Sequence, residues 1–223
     1  MQITYNIPKL QLINQVPQNC CVILADGEFP TNPNLINLLL EAPVILCCDG
    51  AITHLNQHHI TPSFIIGDCD SISPENKAKF SDKLITIADQ NTNDLTKAVN
   101  HAKELNFKKI IILGATGLRE DHSLANISLL ANYINWFEQV LMISDYGMFS
   151  AHLAGKFSLE TEIKQQISIF SLNPETTISC SELKWPLENR KFELLHHGSL
   201  NEATSTCANF ITSGTTIIYR SFS

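Results

Sequence analysis

Residues 110–122 read IIILGATGLREDH, and this stretch decides the fold class. Its four apolar residues, Ile110–Leu113, predict a strand buried on both faces, as in a parallel sheet. The strand is followed by a glycine-containing turn, Gly114–Gly117, and a helical pattern begins near Asp121. A buried strand, a tight turn and a helix together form the repeating unit of an α/β protein.

The same unit recurs on both sides of this stretch. Strands are predicted at Cys20–Ala25, Val44–Cys48, Phe64–Ile66, Leu84–Ala88, Ile110–Leu113 and Val140–Ile143. Helices are predicted at Asn34–Glu41, Ala51–His58, Pro74–Phe80, Asn93–Leu105 and Asp121–Phe137. Residues 1–147 are therefore expected to form a doubly wound, mainly parallel α/β domain.

The pattern changes past about Met148, where helical periodicity fades and short alternating segments begin. Strands are predicted at Phe157–Leu159, Ile167–Leu172, Thr176–Cys180, Lys191–Leu195, Ala208–Ile211 and Thr215–Tyr219. Residues 148–223 are expected to form a small all-β domain, a sandwich or barrel. Because so small a domain is marginal alone, we expect it to pack against the first domain or a second subunit.

Composition excludes several classes of protein. The 223 residues carry 15 Lys and Arg against 22 Asp and Glu, a net charge of −7, and 44% are hydrophobic. This apolar content argues against disorder, and the acidic balance argues against a general nucleic-acid binder. No apolar run approaches the roughly 18 residues of a membrane span. Met1–Leu12 lacks the layout of a secretory signal, so a cytoplasmic location is expected.

The seven cysteines favour a reducing compartment. They contain no C-x-x-C pair, so a structural zinc site is disfavoured. The neighbours Cys20–Cys21 and Cys47–Cys48 lie on predicted strands, where adjacent side chains point to opposite faces. We interpret them as small buried apolar side chains.

Polar residues follow four of the predicted strands. The segments are Asp49-Gly50-Ala51, Gly67-Asp68-Cys69-Asp70-Ser71, Asp89-Gln90-Asn91-Thr92-Asn93-Asp94, and Gly114 to His122. In α/β sheets ligands bind at the carboxyl ends of the strands. One aspartate alone reads as a turn or helix cap, but clustered carboxylates repel one another unless a cation lies between them. Carboxylates and substrate phosphates suit Mg²⁺, so these strand ends predict a magnesium and phosphate site.

Taken in order, these motifs resemble those of the thiamine pyrophosphokinase family. The match comprises Asp49-Gly50-Ala51, Gly67-Asp68-x-Asp70-Ser71, Asp89-Gln90-x-x-x-Asp94, and Gly114-Ala115-Thr116-Gly117-x-Arg119-x-Asp121-His122 followed by Asn126. Leu183-Lys184-Trp185-Pro186-Leu187 and Asn201-Glu202 are similar to the family's C-terminal signature. The resemblance implies an α/β catalytic domain, a small β domain and a homodimer that converts Mg-ATP and thiamine into thiamine diphosphate and AMP.

The resemblance also implies roles for individual residues. Asp68, Asp70 and Asp94 would be catalytic and hold Mg²⁺, and Gln90 would orient thiamine or the transferring group. The nucleotide would be bound by Asp49, Gly114, Ala115, Thr116, Gly117, Arg119, Asp121 and His122. Trp185 would stack on thiamine, with Ser199 and Asn201 beside it across the dimer interface.

Four positions depart from the family pattern: Leu118 and Glu182 stand where glycine is usual, Asn93 replaces a threonine, and Leu200 replaces a serine. Two other classes of function stay open at this point. An Asp-x-Asp phosphatase, with Asp68 as nucleophile and Asp70 as acid, explains Gly67–Ser71 but not the other strand ends. A non-catalytic nucleotide- or thiamine-binding relative is the second alternative.

Overall fold

The structure is a computed structural model that describes residues 3–4 and 16–222. The segment Met1–Leu12, apart from Ile3–Thr4, lies outside the described residues. The helices are α1 Pro33–Glu41, α2 Ile52–Gln57, α3 Pro74–Lys79, α4 Asp94–Glu104 and α5 Glu120–Tyr133. The first eight strands are β1 Ile3–Thr4, β2 Cys20–Leu24, β3 Ile45–Cys48, β4 Phe64–Gly67, β5 Leu84–Thr86, β6 Lys109–Leu113, β7 Gln139–Ser144 and β8 Gly147–His152. The remaining seven are β9 Gly155–Glu160, β10 Gln166–Phe170, β11 Thr177–Cys180, β12 Leu187–Lys191, β13 Asn201–Glu202, β14 Cys207–Thr212 and β15 Thr216–Ser221.

The main sheet has the strand order β13-β10-β15-β8-β7-β6-β2-β3-β4-β5. Its six strands from β7 to β5 are parallel, as the unbroken apolar runs predicted. The chain runs outward from β2 through β3 and β4 to β5, and then crosses back to place β6 on the other side of β2. The order therefore reverses between β2 and β6, which is where doubly wound sheets open a ligand crevice.

Alternate residues of β2 enter two separate cores. Cys20, Val22 and Leu24 pack with apolar residues of α1 and α2, whereas Cys21 and Ile23 pack with those of α4 and α5. Helices thus cover both faces of the sheet, and the doubly wound fold is confirmed. Adjacent cysteines do lie on opposite faces, and all seven cysteines are free thiols, with Cys207 exposed and the others buried.

The C-terminal third is an antiparallel β-sandwich, which confirms the predicted fold class. A five-stranded sheet, β1-β9-β14-β11-β12, packs against the β8-β15-β10-β13 end of the main sheet. Phe157, Ile169 and Phe210 belong to the same apolar cluster as Val22 and Leu24 of β2. One core therefore extends from the parallel strands into the sandwich.

Some boundaries predicted from the sequence were wrong. The strand expected at Lys191–Leu195 is absent there: β12 occupies Leu187–Lys191, and a 3-10 turn follows at Leu195–Gly198. The error has a simple cause, since four of the five residues of β12 are exposed and carry no apolar pattern. Strand β8 was not predicted, and α5 ends at Tyr133 rather than Phe137. Over the part of the chain that the structure describes, no helix combines the length and apolar character needed to cross a membrane.

Candidate functional site

A cavity of about 410 Å³ opens at the reversal point of the main sheet. Its walls come from the carboxyl ends of β2, β3 and β6 and from the first turns of α4 and α5, and they include Asp26, Asp49, Asp94, Arg119 and His122. Cavities of this size are typical of small-molecule sites. Every described residue that lines it lies between Ala25 and Asn126.

Two carboxylates converge above Gly67, the last residue of β4. A Cβ atom at Gly67 would lie 2.8 Å from Cβ of Asp49 and 3.3 Å from Cγ of Asp94. A larger residue would push these side chains apart, so glycine is required for their approach. Asp49 is buried: its Oδ2 accepts a hydrogen bond from the backbone N–H of Ser71 at 3.3 Å. Its Oδ1 is also buried, and among the residues described it has no hydrogen-bonding partner.

Asp68 is held as a carboxylate beside this pair. Its Oδ1 accepts the backbone N–H of Asp70 at 3.1 Å, and its Oδ2 accepts Nε2 of Gln90 at 3.3 Å. These two hydrogen bonds, that from Asp70 first, hold the pKa of Asp68 below its usual value. The structure therefore brings Gln90 to Asp68, while Asp70 is exposed and does not line the cavity.

Asp49 has the opposite pKa shift. Burial, followed by the negative charges of Asp94 and Asp68, raises its pKa from 3.8 to about 6, against a lowering contribution from the Ser71 N–H. A cation among these three carboxylates would remove that repulsion and give the buried Oδ1 of Asp49 a partner. The donor set therefore fits a hard divalent ion.

We expect Asp49→Asn to stabilise the protein in EDTA at pH 7, by about 2 kcal/mol in the free energy of unfolding. Because folding raises the pKa of Asp49, its contribution to stability is fully present below about pH 4 and is lost as the pH rises through about 6. The uncharged amide does not suffer this loss. Urea denaturation of the wild type and of Asp49→Asn at pH 4 and pH 7 tests this prediction. A stability difference between the two proteins that does not change with pH would contradict it.

Lys97 is a site residue that the sequence analysis missed. Its side chain is 4% exposed on α4, and its Nζ lies 2.9 Å from Oδ1 of Asp94. Burial alone would lower the pKa of Lys97, but the hydrogen bond and charge of Asp94 and the charges of Asp68 and Asp89 outweigh it and raise the pKa. Lys97 therefore partly neutralises the acidic cluster from within the fold.

Asp26 was also missed, although it follows β2 just as Asp49 follows β3. A Cβ at Gly50 would clash with the carboxylate of Asp26, so a side chain at position 50 would displace this carboxylate from its present position. Burial raises its pKa, His54 lowers it and Asp94 raises it. Polar residues at strand ends predicted the rest of the site. The same rule, applied to the end of β2, would have found Asp26.

The predicted nucleotide loop is fixed to the segment after β2. The backbone N–H groups of Gly27 and Glu28 donate to the carbonyls of Gly114 and Thr116 at 2.6 and 2.8 Å. Gly114 adopts a φ of +64°, and a Cβ there would lie 2.6 Å from the carbonyl oxygen of Ala25. Such close approach of two backbones accounts for a glycine at the start of the loop.

Most of the predicted nucleotide residues reach the cavity. Ala115, Thr116, Arg119 and His122 line it, as does Leu118. Asp121 instead forms an ion pair with Arg119, with Nη2 of the guanidinium 2.6 Å from Oδ2, which lowers the pKa of Asp121 to about 2. This pair is exposed, so Arg119 can exchange Asp121 for an anionic ligand at little cost.

The departure at Asn93 preserves a structural role. Asn93 is the N-cap of α4, and its Oδ1 accepts the backbone N–H of Thr96 at 2.9 Å. Its Nδ2 donates to Oδ1 of Asn126 at 3.1 Å, and Asn126 in turn donates to the carbonyl of Ala115 at 2.9 Å. The amide thus links the helix that carries Asp94 to the nucleotide loop.

The predicted thiamine residues lie apart from this cavity. Trp185 is 57% exposed, so its indole is not part of the apolar core. The hydroxyl of Ser199 donates to the carbonyl of His196 at 2.7 Å. Asn201 is buried, and its carboxamide is bonded to the backbone of Trp185. The chain groups these three residues at its β-rich end but does not bring them to its own cavity.

Fold and site together define an α/β protein with an acidic ligand cavity at the reversal point of its sheet, a position at which such proteins bind nucleotides. A family model for the thiamin pyrophosphokinase catalytic domain matches residues 35–142, and one for the thiamin pyrophosphokinase substrate-binding domain matches residues 147–219. The chain belongs to the thiamin pyrophosphokinase family. It is a kinase-type transferase, and the reaction of the family is ATP-dependent pyrophosphoryl transfer to thiamine.

Comparison with individual proteins gives the same family. The chain is 25% identical to thiamin pyrophosphokinase 1 of Caenorhabditis elegans over 82% of this chain and 80% of that protein. It is 26% identical to thiamine pyrophosphokinase of Bacillus subtilis over 75% of this chain and 81% of that protein. The fold matches the crystal structure of the Bacillus subtilis enzyme with a TM-score of 0.76 at 24% identity, covering 91% of this chain and 98% of the other. It matches thiamin pyrophosphokinase from Candida albicans with a TM-score of 0.77 at 20% identity, and the match covers 99% of this chain and 96% of the other.

Proposed function

We propose that this chain forms thiamine diphosphate and AMP from Mg-ATP and thiamine at the cavity between β2 and β6. The observation that carries the proposal is the convergence of Asp49 and Asp94 over Gly67, beside the ionised Asp68. The phosphatase alternative used only Asp68 and Asp70, and it gives no role to Asp49, to Asp94 or to the nucleotide loop.

Asp68, Asp70 and Asp94 are the proposed ligands of Mg²⁺, and the buried Oδ1 of Asp49, which has no hydrogen-bonding partner among the described residues, is a further candidate. Among the residues described, no three His, Cys, Asp or Glu side chains form a complete metal site. Mg²⁺ usually takes one or two carboxylates and fills its remaining positions with substrate phosphates and water, so the proposed ligands need not all bind the ion at once. When bound, the ion neutralises charge on the transferring phosphates.

The protein's own residues position the reactants. In the proposed reaction the hydroxyl of thiamine attacks the β-phosphorus of ATP, the bond to the α-phosphate oxygen breaks, and AMP leaves. Reactions of this type depend on in-line positioning and charge stabilisation more than on covalent help. Arg119 and His122 provide donors in the wall of the cavity, and Gln90 is held by a hydrogen bond to Asp68.

We further propose that residues 1–147 form the catalytic domain and that residues 148–223 form the thiamine-binding domain. Because Trp185 does not line this chain's own cavity, the proposed enzyme is a homodimer in which each cavity receives Trp185 from the second copy. The solvent-exposed indole face suits a cationic, aromatic substrate. A cytoplasmic location is proposed together with this function.

Product analysis tests the function. Incubation with Mg-ATP and thiamine is expected to give thiamine diphosphate and AMP in equal amounts, as measured by chromatography. Omission of thiamine is expected to abolish AMP formation. Phosphate release without thiamine would instead support the phosphatase, and binding by calorimetry without product would support the non-catalytic relative.

A further inference from the structure

The ring of Trp185 is exposed, yet the backbone beneath it is fixed to β13. Leu183 and Ala203 form an isolated antiparallel bridge, and the backbone N–H of Lys184 donates to the carbonyl of Glu202 at 2.8 Å. These contacts tie the segment before Trp185 to the edge strand of the main sheet. An exposed aromatic side chain on so short a segment otherwise has little packing to hold it.

The carboxamide of Asn201 completes this attachment. Its Oδ1 accepts the backbone N–H of Trp185 at 3.2 Å and that of Glu202 at 2.9 Å. Its Nδ2 donates to the carbonyl of Trp185 at 2.8 Å. Both N–H and C=O of Trp185 are thus bonded to one side chain, across 16 positions of sequence.

These bonds leave Asn201 little capacity for a ligand. An amide oxygen has two lone pairs, and both are used by backbone N–H groups. The residue is 8% exposed, so it is covered by the chain itself. The resemblance placed Asn201 beside thiamine, but this geometry is that of a side chain that acts on its neighbour.

Lys184 limits how the ring can be used. Its Nζ lies 5.0 Å from the centroid of the Trp185 ring and 3.4 Å from Oε2 of Glu202. The ammonium group therefore covers one face of the indole, anchored by the carboxylate. A cationic ligand is repelled from that face and drawn to the other.

We propose that Asn201 is a positioning residue that fixes Trp185 as a preformed platform for thiamine. The thiamine part of this inference rests on the proposed function. Fixing the platform before the ligand arrives lowers the ordering cost of binding. Loss of the Asn201 bonds should therefore weaken thiamine binding and leave the Mg-ATP side of the reaction unchanged.

The first test is a double-mutant cycle on the KM for thiamine. We expect Asn201→Ala to raise this KM about five- to tenfold and Trp185→Ala to raise it about thirtyfold, with little change in the KM for ATP. If Asn201 acts through Trp185, the double variant behaves like Trp185→Ala alone. Effects that multiply in the double variant, or no effect of Asn201→Ala, would overturn the proposal.

The second test reads the ring directly and needs no substrate. The chain has two tryptophans, so Trp136→Phe leaves Trp185 as the one tryptophan, which is excited selectively at wavelengths that tyrosine does not absorb. In that background Asn201→Ala, or the milder Asn201→Ser if the alanine variant does not fold, is expected to lower the anisotropy of Trp185. Unchanged anisotropy would refute the positioning role. Absence of thiamine diphosphate from the wild type would refute the proposed function instead, and the anisotropy would still decide whether Asn201 fixes the ring.

Discussion

Asp68→Asn is expected to lower kcat about a hundred- to a thousandfold, because it removes a full negative charge from the proposed metal and phosphate site. The amide is isosteric with the carboxylate, and its oxygen can still accept the backbone N–H of Asp70. The fold should therefore be unaffected. Chromatographic measurement of thiamine diphosphate gives the rate, and circular dichroism checks the fold.

Asp82→Asn is the matched control, since Asp82 is exposed in the 3-10 turn before β5. It makes the same chemical change far from the cavity and should leave kcat unchanged. If Asp68→Asn retained more than about a third of the wild-type rate, the carboxylate would not belong to the catalytic group. Equal losses in both variants would indicate a general effect of net charge.

Lys97→Met is expected to destabilise the metal-free protein by about 2 kcal/mol, less than for a fully buried ion pair, because it leaves the half-buried carboxylate of Asp94 without its cation. The side chain of Lys97 is 4% exposed and that of Asp94 33%, so Asp94 and its neighbours would lose the cation that the fold supplies. Methionine fills similar volume, which limits the effect to charge. Urea denaturation in EDTA measures the change.

Adding Mg²⁺ shows whether the stability lost in Lys97→Met comes from repulsion among the carboxylates of the proposed metal site. If Mg²⁺ binds the same carboxylates, adding it should narrow the stability gap between Lys97→Met and the wild type. Lys108→Met, an exposed substitution before β6, should show neither the loss nor the recovery. A Lys97→Met protein as stable as the wild type in EDTA would show that the ion pair does not support the site.

Much of the site could be predicted from the sequence because strand ends converge at one edge of a parallel sheet. Asp49, Asp68 and Asp94 follow strands or begin a helix, and the topology alone brings them together. Lys97 could not be found in this way, since a lysine in an amphipathic helix ordinarily faces solvent. Its burial depends on which helix face meets β3 and β4, a tertiary property.

The β-rich half was harder to predict. Strand β12 is almost entirely exposed, so no apolar alternation marks it. The bonds between Asn201 and Trp185 join residues 16 positions apart, and the antiparallel bridge between Leu183 and Ala203 fixes their relative position. Family motifs identified both residues, but the way one supports the other is visible only in the fold.

The hairpin that joins β7 to β8 determines whether the two predicted domains can be separated by cutting the chain between them. Ser144 pairs with Gly147, so the predicted domain boundary after residue 147 falls at the start of β8, inside one continuous sheet. Cutting the chain there would strip β7 of its neighbour and leave an open edge prone to association with other chains. Because the C-terminal strands and the parallel strands belong to one sheet, backbone hydrogen bonds run without a break from β13 to the strands whose ends carry the aspartates.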